Sequence, residues 1–406
     1  CDVIRFWVSE FDIDGIRLDA ADVLDFAYMK ALRQVANDVK PDFWLMGEVI
    51  HGDYTRWVNE GTLHSVTNYT LHKALYSGHN DHNYFEIAHT VKRLYEMGGN
   101  KPDGLKLYNF ADNHDVERIY TKLNNKAHFA PVHILMYTLP GVPSIYYGSE
   151  FGIEGKKERF SDDSLRPMLS LADYAEAITN NSYTKLIAAL GKVRQHTPAL
   201  SYGDYQELVL TNRQYAYSRN YNGQSVIVTV NNDDSDYVLT LRAGNAAEYI
   251  GALSGEKVSV NGGNIVVNVK ANSGDIWLPV TAESEKAVAP VAVTSTPDPK
   301  DLPGNTASKA EQNQPAADTA RTDAEPADAD SDRKQHTNEH PSAANASAEN
   351  AKAAMSQDFE NGKIAGLQEA ILAIMEKNGP VTDQMRRDVE ANVYHDSLIA
   401  WIKSFR

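Results

Sequence analysis

Three acidic side chains of the sequence stand at positions that suit bond-breaking chemistry. Asp19 follows the run "DGIRL", Glu48 follows "FWLMG", and Asp115 closes "YNFADNHD". Cleavage of a glycosidic bond commonly needs two carboxyl groups, one as proton donor and one as nucleophile or base. Neighbouring strands lie about 4.8 Å apart, and retaining enzymes hold the two groups about 5–5.5 Å apart. Asp19 and Glu48 at the ends of adjacent strands would therefore suit retaining chemistry.

The residues around these acids predict different roles for them. Arg17 lies two residues before Asp19, and the period of two along a strand puts both side chains on one face. A guanidinium there keeps a carboxylate ionised and aims it, as a nucleophile requires. Glu48 follows apolar residues, and apolar surroundings raise a carboxyl pKa so that the group can hold its proton near neutrality.

Three further aspartates near Asp19 are predicted to be structural. Asp12 and Asp14 lie before the strand, in a turn, and the sequence shows no cationic partner for them. Asp22 lies after the strand at a predicted helix start, where capping of the helix is the default role.

The elements that carry the acids alternate between strand and helix. Apolar runs at 14–20, 43–50, 65–71, 105–115 and 142–152 predict buried strands, and amphipathic stretches such as 28–40 and 84–98 lie between them. Alternation of this kind is typical of an α/β protein with a parallel sheet. In a (β/α)₈ barrel the active site lies at the carboxyl ends of the strands, where these acids occur.

Composition divides the chain into four predicted domains. Residues 1–198 have the strand–helix alternation, and 199–281 alternate apolar and polar residues around Asn-Gly turns, which predicts an antiparallel β-sandwich. Residues 282–354 are rich in Ala, Pro, Asp, Ser and Thr, which predicts a disordered acidic linker. Residues 355–406 contain two amphipathic segments, which predict a helical hairpin for self-association or partner docking.

Three motifs together resemble the signatures of a known family. "DGIRLDAA", "GEV" and "ADNHD" are similar, in order and spacing, to three of the four short signatures of the α-amylase family of glycoside hydrolases, in its neopullulanase and cyclomaltodextrinase branch. The resemblance covers about residues 1–280. It implies that Asp19 is the nucleophile, Glu48 the acid/base and Asp115 the transition-state stabiliser. It also implies that Arg17 and His114 contact the substrate or the nucleophile.

Two departures from the family pattern are visible. Ala21-Asp22 stands where the family often has Lys-His, and the remaining signature, D-x-x-x-N-H, is absent. The strand of Asp19 would then be the fourth of eight, so the chain is predicted to hold about strands four to eight of an N-terminally truncated barrel. A parallel barrel cut in this way exposes strand edges and an open core. We expect a chain of this extent to fold poorly and the full-length parent to be active.

The resemblance implies one leading function and two alternatives. The leading hypothesis is a retaining hydrolase of α-1,4-glucosidic bonds in maltodextrins, starch or related α-glucans. A 4-α-glucanotransferase shares the first chemical step and passes the sugar to another sugar instead of water. The third hypothesis is a non-catalytic interaction protein on the same barrel, which the presence of all three acids disfavours.

Composition also excludes several classes of partner. The net charge is −16, which argues against nucleic acid and anionic membranes, and one Cys excludes a disulfide framework. No apolar run approaches the ~18 residues of a membrane span. The sequence predicts no cofactor and no metal site, does not support the calcium that some family members bind, and suggests a cytoplasmic protein. The histidines at 79, 82 and 89 are predicted to lie at the surface.

Overall fold

Five short apolar runs form parallel strands in the computed structural model, which describes residues 1–98, 105–291 and Arg386. The strands are β1 Gly15–Leu18, β2 Trp44–Gly47, β3 Ser65–Val66, β4 Tyr108–Phe110 and β5 Val142–Ser144. β1, β2 and β3 pair in that order, and β4 pairs with β5. A parallel bridge between Thr67 and Tyr108 connects the two groups. The five strands therefore follow one another in space as they do in sequence.

Helices lie before, between and after these strands. They are α1 Asp2–Phe11, α2 Phe26–Val39, α3 Tyr69–Asn80, α4 Tyr84–Met97, α5 Ile119–Lys122, α6 Phe129–Thr138, α7 Ala177–Asn180, α8 Ser182–Gln195 and α9 Pro198–Tyr202. The predicted amphipathic stretches 28–40 and 84–98 correspond to α2 and α4. The third predicted strand, 65–71, is wrong in its second half, because Asn68 caps α3 by accepting a hydrogen bond from the Leu71 N–H.

The following segment forms antiparallel sheet, as its alternating pattern predicts. The strands are β6 Asp204–Leu210, β7 Gln214–Tyr221, β8 Gln224–Asn231, β9 Tyr237–Arg242, β10 Glu248–Gly251, β11 Lys257–Ser259, β12 Asn264–Val269 and β13 Ser273–Pro279. Six of them form one sheet in the order β11-β10-β13-β8-β7-β6, and β12 pairs with β9. Buried side chains such as Ile227, Leu241, Val267 and Trp277 form a core that draws on both sheets.

A second face of the antiparallel sheet packs on the helices of the preceding segment. Val226, Val228 and Val230 of β8 belong to the same buried cluster as Ile134 of α6 and Leu190 of α8. The described residues up to Val291 fall in one compact unit. The segments before and after the predicted boundary at residue 198 therefore share one hydrophobic core.

The first ten residues of the predicted disordered linker are ordered. Residues 282–291 carry helix α10, Ala282–Ala287, whose N-terminus has a capping box between Thr281 and Ser284. The N–H groups of Ala289 and Val291 bond to the carbonyls of Ala252 and Leu253. The remaining predicted linker and the predicted hairpin at 355–406 lie outside the described residues, apart from Arg386. Within the described part of the chain, no helix is long and apolar enough to cross a membrane.

The three aspartates near β1 differ from their predicted surroundings. Asp12 and Asp14 do have a cationic partner, because Lys40 Nζ lies 2.6 Å from Asp12 Oδ1 and 2.8 Å from Asp14 Oδ1. Asp22 lies inside a short 3₁₀ turn, and Asp25 caps α2 instead, by accepting hydrogen bonds from the N–H groups of Ala27 and Tyr28. The ion pairs of Asp12 and Asp14 with Lys40 join residues that are far apart in the sequence, so residue spacing did not reveal them.

The predicted surface positions of the histidines are wrong for one of them. His79 is fully buried, His82 is partly buried, and His89 is exposed. Burial lowers the pKa of His79 to about 3, so its imidazole is neutral near physiological pH.

Candidate active site

The register of β1 and β2 brings two of the predicted acids to neighbouring positions. Arg17 pairs with Met46 and Leu18 with Gly47, and the Glu48 N–H bonds to the Leu18 carbonyl at 2.8 Å. Asp19 and Glu48 are the next residues on the two parallel strands. The pairing therefore places both carboxyl groups at the carboxyl end of the sheet.

One guanidinium joins these two carboxylates. Arg17 Nη1 lies 2.7 Å from Asp19 Oδ1, and Arg17 Nη2 lies 2.8 Å from Glu48 Oε2. The Asp19 side chain is 80% exposed and the Glu48 side chain only 13%. The predicted contact between Arg17 and Asp19 is present, and Arg17 also contacts the second acid.

The surroundings of Glu48 differ from the apolar setting that the sequence predicted. Its carboxylate contacts the Arg17 guanidinium, accepts a hydrogen bond from the Ala20 N–H at 3.2 Å and lies 3.4 Å from the Tyr69 hydroxyl. The apolar residues that precede it, Leu45 and Met46, are buried. The expectation of an apolar pocket around Glu48 is wrong, because neighbouring elements supply polar contacts.

Backbone geometry fixes the segment around the two acids. Ala20 has a φ of 43°, in the left-handed region, which a residue with a Cβ rarely adopts. A Cβ on Gly47 would come within 2.5 Å of Leu63 Cδ1 and 2.7 Å of Ala21 Cβ. The close approach of β2 to the segment after β1 therefore requires glycine at position 47.

The third predicted acid, Asp115, follows β4 and has two cationic neighbours. Arg166 Nη2 lies 2.9 Å from Asp115 Oδ1, and His114 Nε2 lies 3.1 Å from Asp115 Oδ2. Arg166 also contacts Asp162 and donates a hydrogen bond from Nε to the His114 carbonyl. Arg166 was not predicted as a site residue, since it lies in a loop without a recognisable motif.

Tyr69 connects the acids at β1 and β2 to the one after β4. Its hydroxyl donates to Glu48 Oε1 at 3.4 Å and accepts from Asn113 Nδ2 at 3.1 Å. Asn113 Oδ1 in turn accepts the Asp115 N–H at 2.8 Å. Burial is the main cause that raises the Tyr69 pKa, so the hydroxyl stays protonated as a donor. The structure therefore brings all five predicted residues, Arg17, Asp19, Glu48, His114 and Asp115, into one connected group.

The composition of this group limits its chemistry. It offers three carboxylates, two guanidinium groups, one imidazole and one phenol, which suit proton transfer and attack on carbon. Among the described residues, no set of three or more His, Cys, Asp or Glu side chains is arranged to hold a metal ion.

Comparison with known proteins identifies the family. Residues 1–200 match the family model for the catalytic domain of α-amylase. The chain belongs to the α-amylase family. A cyclomaltodextrinase from Thermoanaerobacter pseudethanolicus is 30% identical over 247 residues, which are 59% of this chain and 41% of that protein. Neopullulanase 2 from Thermoactinomyces vulgaris is 27% identical over 284 residues, 68% of this chain and 46% of that protein.

These similarities place the chain in the predicted branch of the α-amylase family. The chain spans less than half the length of both relatives. A solved structure of CldA, described as a cyclomaltodextrin glucanotransferase with a three-domain ABC distribution, has a TM-score of 0.61 and 26% identity, across 69% of this chain and 59% of that chain. The structural neighbours are α-amylase-family TIM-barrel enzymes.

Proposed function

We propose that the protein containing this chain is a retaining glycoside hydrolase that cleaves α-1,4-glucosidic bonds in maltodextrins, starch or related α-glucans. The observation that carries the proposal is the Arg17 guanidinium, which contacts both Asp19 and Glu48. One cation thus holds two carboxyl groups from adjacent strands at one strand end. The names of the relatives, cyclomaltodextrinase and neopullulanase, support the substrate class.

In the first step, Asp19 attacks and Glu48 donates a proton. An oxygen of the Asp19 carboxylate forms a bond to the anomeric carbon while the glycosidic carbon–oxygen bond breaks. The departing oxygen takes the Glu48 proton, so the leaving sugar ends in a hydroxyl. Asp19 suits the nucleophile role because its carboxylate is exposed and held by Arg17, and we assign the less exposed Glu48 to the proton donor.

In the second step, water replaces the enzyme at the anomeric carbon. Glu48 removes a proton from water, the oxygen attacks the anomeric carbon, and the bond to Asp19 breaks. Two inversions give the sugar its original α configuration. We assign Asp115, with His114 and Arg166 beside it, to binding the sugar and stabilising the transition state.

We also propose that β1 to β5 correspond to strands four to eight of a (β/α)₈ barrel. Within the described residues β1 has a strand partner on one side only. The neighbouring helix α1 exposes Val3, Phe6 and Phe11, each more than half accessible. Three further strand–helix units before this chain would cover both features, and we call the longer protein the extended protein. A soluble, monomeric 406-residue chain that hydrolyses maltodextrin would contradict this proposal.

The reaction of the extended protein with maltotriose and with a cyclodextrin tests the proposed chemistry. Proton NMR during the first minutes should show the α anomer of the new reducing end before mutarotation. Initial formation of the β anomer would exclude a retaining mechanism, and no turnover of any α-glucan would exclude the substrate class.

A second candidate is glucan transfer, which the similarity to CldA favours. Transfer shares the first step, and the acceptor in the second step is then a sugar hydroxyl. Chromatography of maltotriose reactions separates the two, because transfer gives oligosaccharides longer than the substrate and hydrolysis gives only shorter ones.

A further inference from the structure

Arg118 is a buried arginine three residues after Asp115 along the chain. It has no exposed surface. Its Nη1 donates to the Tyr147 carbonyl at 2.6 Å, and its Nη2 donates to the Leu165 carbonyl at 2.8 Å. Its backbone N–H bonds to the Gly155 carbonyl at 3.0 Å. One residue thus fixes three points of the segment that follows β5.

The charge of Arg118 is balanced from the side of β4 and β5. Ser149 Oγ accepts from Arg118 Nη1 at 3.1 Å and donates to both oxygens of Asp112, at 2.9 and 2.8 Å. The ring of Tyr146 lies 4.1 Å from the guanidinium carbon. Burial lowers the pKa of Arg118 and raises the pKa of Asp112, so each group depends on its neighbours for its charge. Moving Arg118 away from these partners would leave a buried charge unpaired, which raises the free energy of the folded protein. The cluster therefore keeps its side chains in one arrangement.

The residue after Leu165 reaches the proposed catalytic site. Leu165 is fully buried, and Arg166 lies beside it with its guanidinium 2.9 Å from Asp115 Oδ1. The turn from Asp162 to Arg166 is closed by backbone bonds from the Leu165 and Arg166 N–H groups to the Asp162 carbonyl. The Leu165 carbonyl therefore joins Arg118 to the backbone of the arginine that contacts Asp115.

We propose that Arg118 is a positioning residue: it fixes Leu165 and thereby holds Arg166 against Asp115. This inference rests on the proposed function for its kinetic consequences. The Arg118 guanidinium bonds to none of the three proposed catalytic acids, so its effect on catalysis passes through Arg166. The proposal therefore predicts that the effects of substituting Arg118 and Arg166 on kcat depend on each other, although the two side chains are not in direct contact.

Arg194 offers a matched control. It also donates to two backbone carbonyls, those of Tyr137 at 2.5 Å and Gly141 at 2.6 Å. Those carbonyls precede β5, at the end of the strand away from Asp115. Arg194→Lys should lower stability as Arg118→Lys does, without acting on the site.

A double-mutant cycle in the extended protein tests the dependence. Arg118→Lys should lower kcat about tenfold and change KM less than kcat, because a displaced Asp115 stabilises the transition state less well. The variant Arg166→Gln should lower kcat by at least as much. The double variant should be no slower than Arg166→Gln within about threefold, since coupled residues are not additive. Effects that multiply, or an Arg118→Lys kcat as little changed as that of Arg194→Lys, would overturn the proposal.

Hydrogen exchange of the extended protein separates this inference from the proposed function. Peptides covering 160–168 should exchange faster in Arg118→Lys than in the protein without substitutions. In Arg194→Lys their exchange rate should equal that of the protein without substitutions. If the extended protein turns over no α-glucan but exchange rises as expected, the proposed function fails while the hold on Leu165 and Arg166 stands. If exchange in 160–168 is the same in all three chains, the inference about Arg118 is wrong whatever the activity.

Discussion

The parallel and antiparallel parts of the protein place their carboxylates in opposite ways. In the parallel part the strands have two to four residues, and Asp19 and Glu48 lie just beyond their ends, facing one guanidinium. In the antiparallel part the strands reach eight residues, and Asp275 is buried within β13. The Asp275 carboxylate accepts hydrogen bonds from the N–H groups of Leu253, Ser254 and Ile276.

The difference separates carboxylates that are accessible to a substrate from carboxylates that stabilise the fold. The Asp275 carboxylate is buried and bonds to backbone N–H groups of its own strand and of the turn at residues 253 and 254. Asp19 makes one contact with Arg17 and leaves most of its surface accessible. We therefore expect substitutions to change activity in the parallel part and stability in the antiparallel part.

The largest expected effect is on activity, from the parallel part. In the extended protein Asp19→Asn should lower kcat/KM on the order of 10⁴-fold, because the nucleophile is lost. The melting temperature should stay unchanged, since the side chain is exposed. Asp14→Asn, which loses only an exposed contact with Lys40, is the control and should change kcat/KM by less than about twofold. If the activity of Asp19→Asn were within a few-fold of that of the protein without substitutions, Asp19 would not be the nucleophile.

The next effect is on stability, from the antiparallel part. Ile227 is fully buried between the two sheets, and Ile227→Ala should lower the free energy of unfolding by about 2–5 kcal/mol. Urea unfolding measures this loss, and kcat/KM per folded molecule should be unchanged. Val238→Ala, at a position 60% exposed, should change stability by less than about 0.5 kcal/mol. A lower kcat/KM for Ile227→Ala would show that the two parts are not separate in function.

A smaller effect distinguishes two tyrosines, Tyr69 and Tyr54, whose hydroxyl groups form hydrogen bonds near the start of α3. Tyr69→Phe should lower kcat/KM about tenfold, because a hydroxyl bonded to the Glu48 carboxylate is lost. Tyr54→Phe removes a hydroxyl bonded to the Thr70 side chain, one residue away, and serves as the control. Both variants should lose about 1 kcal/mol of stability, which thermal unfolding measures. Equal activities would mean that Tyr69 only supports the fold.

The last effect is a pH dependence of stability that comes from buried histidines of the parallel part. Burial lowers the pKa of His79 to about 3 and of His133 to about 4, and residues 204–279 contain no histidine. Below pH 6.5 the unfolded chain binds protons that the folded protein does not, so stability is full above pH 6.5 and falls toward pH 4. Each histidine should contribute roughly 1.4 kcal/mol per pH unit over this interval.

Urea unfolding between pH 7 and 5 measures this slope. His79→Gln and His133→Gln should each reduce it, and His89→Gln, at an exposed position, should not. Hydrogen exchange at pH 5 should rise first in α3 and α6, which carry the buried histidines. If the exchange rate rose first in β7 or β8, the buried histidines would not be the cause of the loss of stability at low pH.

Sequence reasoning found the motif residues because their chemistry and their place in the strands are both local. The five parallel strands, the antiparallel segment and the group of Arg17, Asp19 and Glu48 follow from apolar runs and from the period of two. The acid contacts that come from distant elements were not foreseeable in this way. Tyr69 was assigned to a strand that ends before it, and Arg166 reaches Asp115 across 51 residues of chain.

The burial of individual polar residues was the weaker part of the sequence predictions. His79 was expected at the surface because its neighbours in sequence are polar, yet α3 turns its ring toward Tyr84 and His128. Lys40 pairs with Asp12 and Asp14 because α2 returns along β1, which residue spacing does not reveal. Tertiary packing decides such contacts, and local patterns carry no information about it.

The glycine at position 47 has a consequence for directed evolution of this protein. A saturation library at Asp19 selected only for folded protein should retain many residues, and the same library selected for sugar cleavage should retain Asp alone. At Gly47 both selections should return glycine, because even alanine would meet Leu63 and Ala21 at 2.5 and 2.7 Å. Sequencing the two selected pools would thus tell positions that the chemistry restricts from positions that the backbone restricts, at two sites only a few ångströms apart in the sheet.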